Sequence, residues 1–492
     1  MNPDDHEPDR PISVDRRITS AQATALVFIT SAAVLVLEIL AGRLLAPYVG
    51  ISLETFTGII GTMLAGIAAG AWAGGALADT RDPAPLIGPT IALGGALSWL
   101  SLPIVDALGP ELGAGPGSII VLTAAAFFAP AAVLTAASPM IAKLRLHSLD
   151  ETGAVVGGLS ASGTLGALAG TFLTGFVLVA AAPVRPLVIG IGAAMVVLGF
   201  ATSWMLARAR PTAGVVVVVI AAGLATGASS SPCQYETQYA CVVVVADADN
   251  PSLRSLFLDG VRNAAVDLDD PELLDIRYIR LFADVVDTLP PGPLRTLHVG
   301  GGGFGFPQYL QATRPGSADL VFEIDGDLVD IAEDELGLVR SDRLVVETVD
   351  ARVGIGDVAD DSMDLVVGDA FSGLTVPWHL TTREFVREID RVLVADGIYI
   401  MNVIDSGDHD FARAQLATLF EVFEHVTMIA PPGGIDTLAS SNWVLLASPV
   451  PLPEPTVASE DGIVLDATET RAFAGGAYVL RDDFAPVDQL RN

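Results

Sequence analysis

The sequence has one lysine and two cysteines, and its first half carries few charges. Lys143 is the only lysine among 492 residues, and it lies in a predicted membrane loop. The second half therefore lacks the lysine that a phosphate-binding loop or a Schiff base requires, which argues against Walker-type nucleotide hydrolysis and pyridoxal chemistry. The two cysteines, Cys233 and Cys241, form no zinc-binding pattern. A disulfide between them requires that this region lie outside the cytoplasm.

Seven apolar segments fill the poorly charged first half. Charged residues make up 17% of the chain and mean hydropathy is +0.54, which is too apolar for an ordinary soluble enzyme. Most segments reach the ~20 residues that a helix needs to cross a bilayer, and the last is the shortest and weakest. They lie at about 22–46, 54–78, 85–105, 118–142, 155–181, 184–207 and 213–229.

Basic residues flank these segments unequally. With the N-terminus in the cytoplasm, seven spans leave only Arg43 and Arg185 near outer ends. Eight basic residues then lie inside, as is typical of membrane proteins: Arg10, Arg16, Arg17, Arg81, Lys143, Arg145, Arg208 and Arg210. Seven spans would place the second half of the chain outside the cytoplasm, and six would keep it inside. The charge bias favours the outside, and the sequence leaves the side open.

The second half is strongly acidic. Residues from Pro232 onward carry 45 acidic and 16 basic side chains, against 13 and 10 up to Ser231. Such a charge keeps a domain soluble, disfavours binding to nucleic acid or anionic lipid, and attracts cations such as polyamines.

Alternating strands and helices begin at Leu294 and predict a mostly parallel sheet. We expect strands at 294–299, 319–324, 343–348, 363–368, 397–403, 425–430 and 442–447, with helices that include 327–336 and 381–393. Before them, short alternating runs at 239–246, 255–258 and 264–268 predict a small β subdomain.

A glycine-rich turn follows the first of these strands. Gly300, Gly302 and Gly305 fit G-x-G-x-x-G, a pattern that lets a nucleotide approach the backbone. Glu323 closes the next strand, 18 residues after Gly305, where a carboxylate can accept hydrogen bonds from ribose hydroxyls. The alternative is a tight turn beside a solvated glutamate.

Two further acids, Asp350 and Asp369, follow the third and fourth strands. They suit the adenine amino group and the cationic end of an S-adenosyl ligand, whereas a nicotinamide enzyme needs neither. Both could instead be helix N-caps. We predict a disordered tail (1–20), an α-helical membrane domain of about seven spans (21–229), a linker with a small β subdomain (230–292), and an α/β Rossmann-like domain of the S-adenosyl-dependent methyltransferase type (293–492).

Residues from about Pro232 to Asn492 resemble the spermidine synthase (polyamine aminopropyltransferase) family. The matches are the glycine loop, E-I-D at 323–325, D-A at 350–351 and D-L-V-V-G-D-A-F at 364–371. The whole chain resembles the membrane-fused branch of that family, through the stretch from Glu38 to Thr80 and the tail from Asp482 to Val487.

The resemblance implies aminopropyl transfer from decarboxylated S-adenosylmethionine to putrescine or another cationic acceptor, without a metal. It implies a catalytic role for Asp369, cofactor binding by Gln238, Gly300, Gly302, Gly305, Glu323 and Asp350, and substrate binding by Tyr239 and Tyr278. A lipid bilayer and other copies of the chain are expected partners.

Three positions depart from the family pattern. Ser372 replaces the aspartate that serves as catalytic base, Arg280 stands near the expected diamine site, and Gly303 replaces a loop aspartate. These departures leave two alternatives open: an inactive domain that binds polyamines or nucleosides for a transporter-like membrane half, and an S-adenosylmethionine-dependent methyltransferase. Glu38 lies within an apolar span and is expected in an ion pair or in transport. His298 and His379 are expected to be packing or loop residues.

Overall fold

The computed structural model of the protein describes residues 18–50, 52–112, 115–146, 151–207, 213–371 and 373–491. Contacts divide the chain into two compact units, Met1–Val49 with Glu54–Pro232 and Gly50–Leu53 with Cys233–Asn492. Most of the predicted tail, Ser372, and the flanking residues Arg208 and Arg210 lie outside the described ranges.

The first unit is a bundle of apolar helices. Within the described ranges, six helices are long and apolar enough to cross a membrane. They are α1 (Ser20–Val49), α2 (Leu53–Thr80), α3 (Ala84–Leu112), α4 (Pro116–Arg145), α5 (Thr152–Ala181) and α6 (Val184–Ala207). The seventh predicted segment is a shorter helix, α7 (Ala213–Gly227). Its 15 residues extend about 22 Å at 1.5 Å per residue, less than the ~30 Å hydrocarbon core of a bilayer.

An antiparallel four-stranded sheet begins the second unit. Its strands are β1 (Tyr235–Glu236), β2 (Cys241–Ala246), β3 (Leu253–Leu258) and β4 (Val261–Asp267), in that order. Cys233 and Cys241 are joined by a disulfide across the β1–β2 hairpin. The sheet belongs to the same compact unit as the rest of the second half.

An eight-stranded mixed sheet forms the centre of this unit, in the order β12-β10-β11-β9-β8-β5-β6-β7. Its strands are β5 (Arg295–Val299), β6 (Ala318–Glu323), β7 (Leu344–Thr348), β8 (Met363–Gly368), β9 (Leu393–Asp405), β10 (His425–Ala430), β11 (Ser441–Ser448) and β12 (Ile463–Leu465). The pairs from β9 through β8, β5 and β6 to β7 are parallel, and β10, β11 and β12 pair antiparallel.

Helices cover both faces of this sheet, and strand residues alternate between two apolar cores. Leu365 and Val367 of β8 face one core, and Val366 between them faces the other. The helices are α8 (Arg277–Val286), α9 (Gly305–Thr313), α10 (Gly326–Glu335), α11 (Ala351–Gly354), α12 (Arg383–Val392), α13 (Asp410–Leu419), α14 (Ala467–Ala474) and α15 (Val487–Leu490). Since the chain order reverses between β8 and β6 on either side of β5, the loop after β5 lies at a topological switch point, the usual ligand site of such sheets.

Candidate active site

The glycine loop after β5 lies directly against the end of β8. Gly300 has φ +98°, and a Cβ there would be 2.6 Å from the carbonyl oxygen of Asp369. The Asp369 amide donates to the Val299 carbonyl at 2.9 Å. Only glycine fits this left-handed conformation and close approach without strain. The predicted loop and the predicted catalytic acid are therefore adjacent.

Glu323, at the end of β6, is tied to the same loop. One carboxylate oxygen accepts from the amides of Gly301 (2.9 Å) and Gly302 (3.2 Å), and the other from the amide of Asp325 (2.9 Å). Only 7% of the residue is exposed, so it is not a solvated side chain. Burial raises the pKa of Glu323, and the three backbone N–H groups counteract that rise.

Asp350 both caps a helix and faces a histidine. One oxygen accepts from the Arg352 amide at 2.9 Å at the start of α11, as the N-cap alternative predicts. The other lies 3.2 Å from Nε2 of His379. No sequence pattern pairs these two residues, which are brought together by the loop after β8 that carries His379.

Asp369 is partly buried directly after β8, between two side-chain donors. The Tyr278 hydroxyl donates to one carboxylate oxygen and Asn402 Nδ2 to the other, each at 2.9 Å. Burial raises the pKa of Asp369 to about 7, although both hydrogen bonds lower it. Burial and the same carboxylate also raise the pKa of Tyr278, which stays a protonated donor. Asp369 can thus exchange a proton near neutral pH.

Asn402 and Asn442 extend this network and were not predicted from the sequence. Asn442 Nδ2 donates to Asn402 Oδ1 at 3.0 Å, which orients the Asn402 amide toward Asp369. Asn402 is 1% exposed and interrupts the apolar run of β9. A polar residue within a buried strand usually has a hydrogen-bond partner. The sequence therefore indicates that Asn402 is paired, but not with which residue.

The disulfide-closed hairpin lies near the acids that follow β6 and β7. Thr237 donates its hydroxyl to Asp325, and the Tyr239 amide donates to that same hydroxyl oxygen at 3.0 Å. Burial raises the pKa of Tyr239, as do the nearby carboxylates of Asp325, Asp350 and Glu323. Gln238 is exposed in the same turn. The hairpin thus places Tyr239 beside Glu323 and Asp350, to which the family resemblance assigns cofactor binding, and beside Asp325.

Arg280 does not present a free positive charge. Its guanidinium forms a salt bridge with Asp461, and Arg277 donates to the Asp461 and Asn442 carbonyl oxygens. Because Tyr278 points at Asp369, Arg280 two residues later lies on the opposite side of α8.

Histidines and acids elsewhere form no metal site within the described ranges, where no group of three or more His, Cys, Asp or Glu side chains is suitably placed. His298 is buried, with Nε2 3.0 Å from Asp319, and packs against Phe306.

Comparison with known proteins gives matches only within part of the chain, and no family model matches it. A polyamine aminopropyltransferase of Vibrio vulnificus is 30% identical over 185 residues, 36% of this chain and 62% of that protein. An eEF1A lysine and N-terminal methyltransferase of Xenopus laevis is 28% identical over 144 residues, 27% of this chain and 21% of that protein. A probable spermidine synthase from Corynebacterium glutamicum is 25% identical, with a TM-score of 0.49 over 52% of this chain and 99% of that structure. The chain thus spans less than two thirds of the length of the Vibrio relative.

The second unit has an α/β fold whose mixed sheet is parallel from β9 to β7. Part of the chain is similar in sequence to polyamine aminopropyltransferases, the family that its motifs resemble.

Proposed function

We propose that the second unit transfers an aminopropyl group from decarboxylated S-adenosylmethionine to an amine acceptor, in a protein held in the membrane by the first unit. The proposal depends chiefly on one observation: a partly buried carboxyl group, Asp369, lies against the glycine loop with its pKa raised to about 7. Relatives that are polyamine aminopropyltransferases support the reaction class.

The donor is assigned to the side of the loop where Glu323, Asp350 and Tyr239 come together. Glu323 accepts hydrogen bonds from the loop amides and is positioned to accept hydrogen bonds from ribose hydroxyls as well. Three carboxylates around Tyr239 favour a cationic ligand such as a sulfonium.

Asp369 is assigned the role of proton acceptor. The amine nitrogen of the acceptor bonds to the propyl carbon next to sulfur while the carbon–sulfur bond breaks. The electron pair of that bond stays on sulfur as a neutral thioether, and the amine proton passes to Asp369. A base with a pKa near the working pH suits this transfer. Tyr278 and Asn402 position the carboxylate and do not themselves carry the proton.

Calorimetry and product analysis of the full chain in lipid nanodiscs test this proposal. We expect binding of decarboxylated S-adenosylmethionine and, with putrescine, release of methylthioadenosine. Binding of S-adenosylmethionine with methyl transfer would replace the proposal by the methyltransferase alternative, which the Xenopus relative also suggests. Failure to bind either donor would exclude both enzymes.

The Cys233–Cys241 disulfide favours a second candidate function, a domain that binds polyamines or nucleosides on an oxidising side of the membrane. S-adenosyl donors are cytoplasmic, so the two functions require opposite sides. A topology reporter fused after Asn492 decides between them. Reporter activity only outside the cytoplasm supports the binding domain, and reporter activity only inside the cytoplasm supports the transferase.

A further inference from the structure

Helices α2 and α4 touch through a glycine pattern in the membrane unit. A Cβ at Gly66 would lie 3.0 Å from the Phe128 carbonyl oxygen, and one at Gly70 would lie 2.0 Å from the Ala132 carbonyl oxygen. Residue numbers rise together along both helices, so the two run parallel. Backbones in such direct contact are typical of packed membrane helices.

Helices α5 and α1 repeat this contact 100 positions away. A Cβ at Gly166 would lie 2.1 Å from the Phe28 carbonyl oxygen, and one at Gly170 would lie 2.5 Å from the Ala32 carbonyl oxygen. The glycines stand 100 positions after those of α2, and the phenylalanine and alanine stand 100 positions before those of α4. The same contact therefore occurs twice, with the two halves of the unit exchanging roles.

The remaining pair of helices, α3 and α6, fits the same relation. A Cβ at Gly199 would lie 2.4 Å from the Ala92 nitrogen, and one at Gly192 would lie 2.4 Å from Trp99 Nε1. Since Ala92 corresponds to Gly192 and Trp99 to Gly199, exchanging the halves turns one contact into the other. A pair that maps onto itself in this way lies on an approximate two-fold axis.

The odd number of spans in each half determines how the two halves are oriented relative to each other. Consecutive spans alternate in direction, so the second group of three crosses the membrane opposite to the first. The α1–α3 and α4–α6 halves are thus an inverted repeat, the construction typical of many secondary transporters, whose solute sites lie near the midplane between the repeats.

A carboxyl group lies close to that depth. Glu38 is about one helical turn from the midpoint of α1, and its Oε2 atom is buried without a hydrogen-bond partner. Ionisable side chains inside membrane helices commonly mark ion or substrate paths. The helices α4 and α5 are each interrupted by a π-helical turn, Ala124–Phe128 and Thr174–Leu178, a feature frequent at functional sites.

We propose that the membrane unit is an inverted-repeat carrier that moves a small cation past Glu38. A carboxylate in an apolar surround attracts a cation and excludes an anion. A proton and an organic ammonium ion share the required charge. This function is independent of aminopropyl transfer, and either one can fail alone.

Flux through liposomes that contain the purified full chain tests the proposal. The probes are radiolabelled putrescine for organic cations and trapped pyranine for protons, under an imposed pH gradient. We expect saturable flux of at least one probe, reduced at least tenfold by Glu38→Gln and partly restored by Glu38→Asp. Glu54→Gln, an exposed acid in the first turn of α2, is the matched control and should keep the flux. Putrescine uptake identifies an amine carrier and acidification alone a proton carrier. If neither flux depends on Glu38 in variants that keep the wild-type melting temperature, the proposal is wrong.

Paired substitutions test the repeat itself. Gly70→Leu and Gly170→Leu should lower the melting temperature by similar amounts, because each forces a side chain into a backbone carbonyl. Gly61→Leu and Gly175→Leu, where nothing lies within 4 Å, should change it little. Destabilisation by only one member of the first pair would overturn the two-fold relation.

Discussion

The ends of β6 and β8 each carry a carboxylate, and the two differ in what surrounds them. Glu323 accepts from three backbone amides, whereas Asp369 accepts from two side chains, Tyr278 and Asn402. Burial raises the pKa of both, and that of Asp369 reaches about 7.

This difference fits the proposed division of roles, in which Glu323 binds the donor and Asp369 takes the proton. Backbone amides belong to the fold and cannot reorient, so they keep Glu323 in one place as part of the loop. Two side chains donate hydrogen bonds to Asp369 but leave its pKa near neutral pH. A group that must gain and lose a proton during a reaction requires such a pKa. Substitutions at the two carboxylates and at their neighbours should separate these roles, with the largest effect at Asp369 and the smallest at the hairpin.

Replacing Asp369 by Asn should have the largest effect. The amide keeps the shape but cannot accept a proton, so turnover should fall by about 10²–10⁴-fold, with donor affinity little changed. The measurements are methylthioadenosine release and calorimetry. Asp396→Asn, an exposed acid near the start of β9, is the matched control. Retained turnover in Asp369→Asn would mean that another group takes the proton.

Replacing Glu323 by Gln should weaken the donor complex instead. The loop amides then face a side chain with one acceptor and one donor, and a hydrogen bond to a charged group is worth about 1.5–3 kcal/mol. We expect donor affinity to fall by about 10–100-fold, with kcat at saturation reduced far less. Calorimetry and a KM-against-kcat comparison measure this. Equal losses in kcat for Glu323→Gln and Asp369→Asn would contradict the division of roles.

The pH profile should sharpen the assignment of Asp369. Activity requires the carboxylate form, so the rate should rise with pH and reach half its maximum near pH 7. Tyr278→Phe removes a hydrogen bond that lowers the pKa of Asp369, so the midpoint should move to higher pH while the rate at high pH is largely kept. Tyr478→Phe, an exposed tyrosine, provides a control. An unmoved midpoint in Tyr278→Phe would assign the titration to another group.

Opening the hairpin should have the smallest effect on activity. Replacing Cys233 and Cys241 by Ser frees the turn that carries Thr237 and Tyr239, so donor KM should rise several-fold with kcat unchanged. Closing a short loop is worth about 2–3 kcal/mol in the chain-entropy view, so the melting temperature should also fall. Reducing agent should reproduce both changes in the wild type and have no effect on the double variant. A change in kcat would place the hairpin on the reacting side.

The sequence predicted the parallel strands β5 to β8 to within one residue, because each is a short apolar run with a glycine or an acid at its last position or within two positions after it. β9 was predicted to begin at Gly397 but begins at Leu393. Asp396-Gly397 resembles a turn, yet the strand continues through it, with a shifted register against β8. Local turn propensity was overridden there by pairing across the sheet.

In the candidate site, too, some residues could be predicted from the sequence and others could not. Glycines and acids at strand ends could be found because position along the strand fixes the sheet edge they share. The partners of these residues could not: Asn402 lies 33 positions from Asp369, and Asp461 lies 181 positions from Arg280. Only the folded chain brings such pairs together. That is why Arg280 was expected near a diamine and is instead neutralised by Asp461.

The exchanged glycine contacts determine when each close helix contact can form during synthesis. Helix α2 packs its glycines on α4, and α5 packs its glycines on α1, so each half supplies the partner for the other. Neither group of three helices can complete its own close packing. The close packing at Gly66 and Gly70 can therefore form only after α4 has been synthesised, and that at Gly166 and Gly170 only after α5.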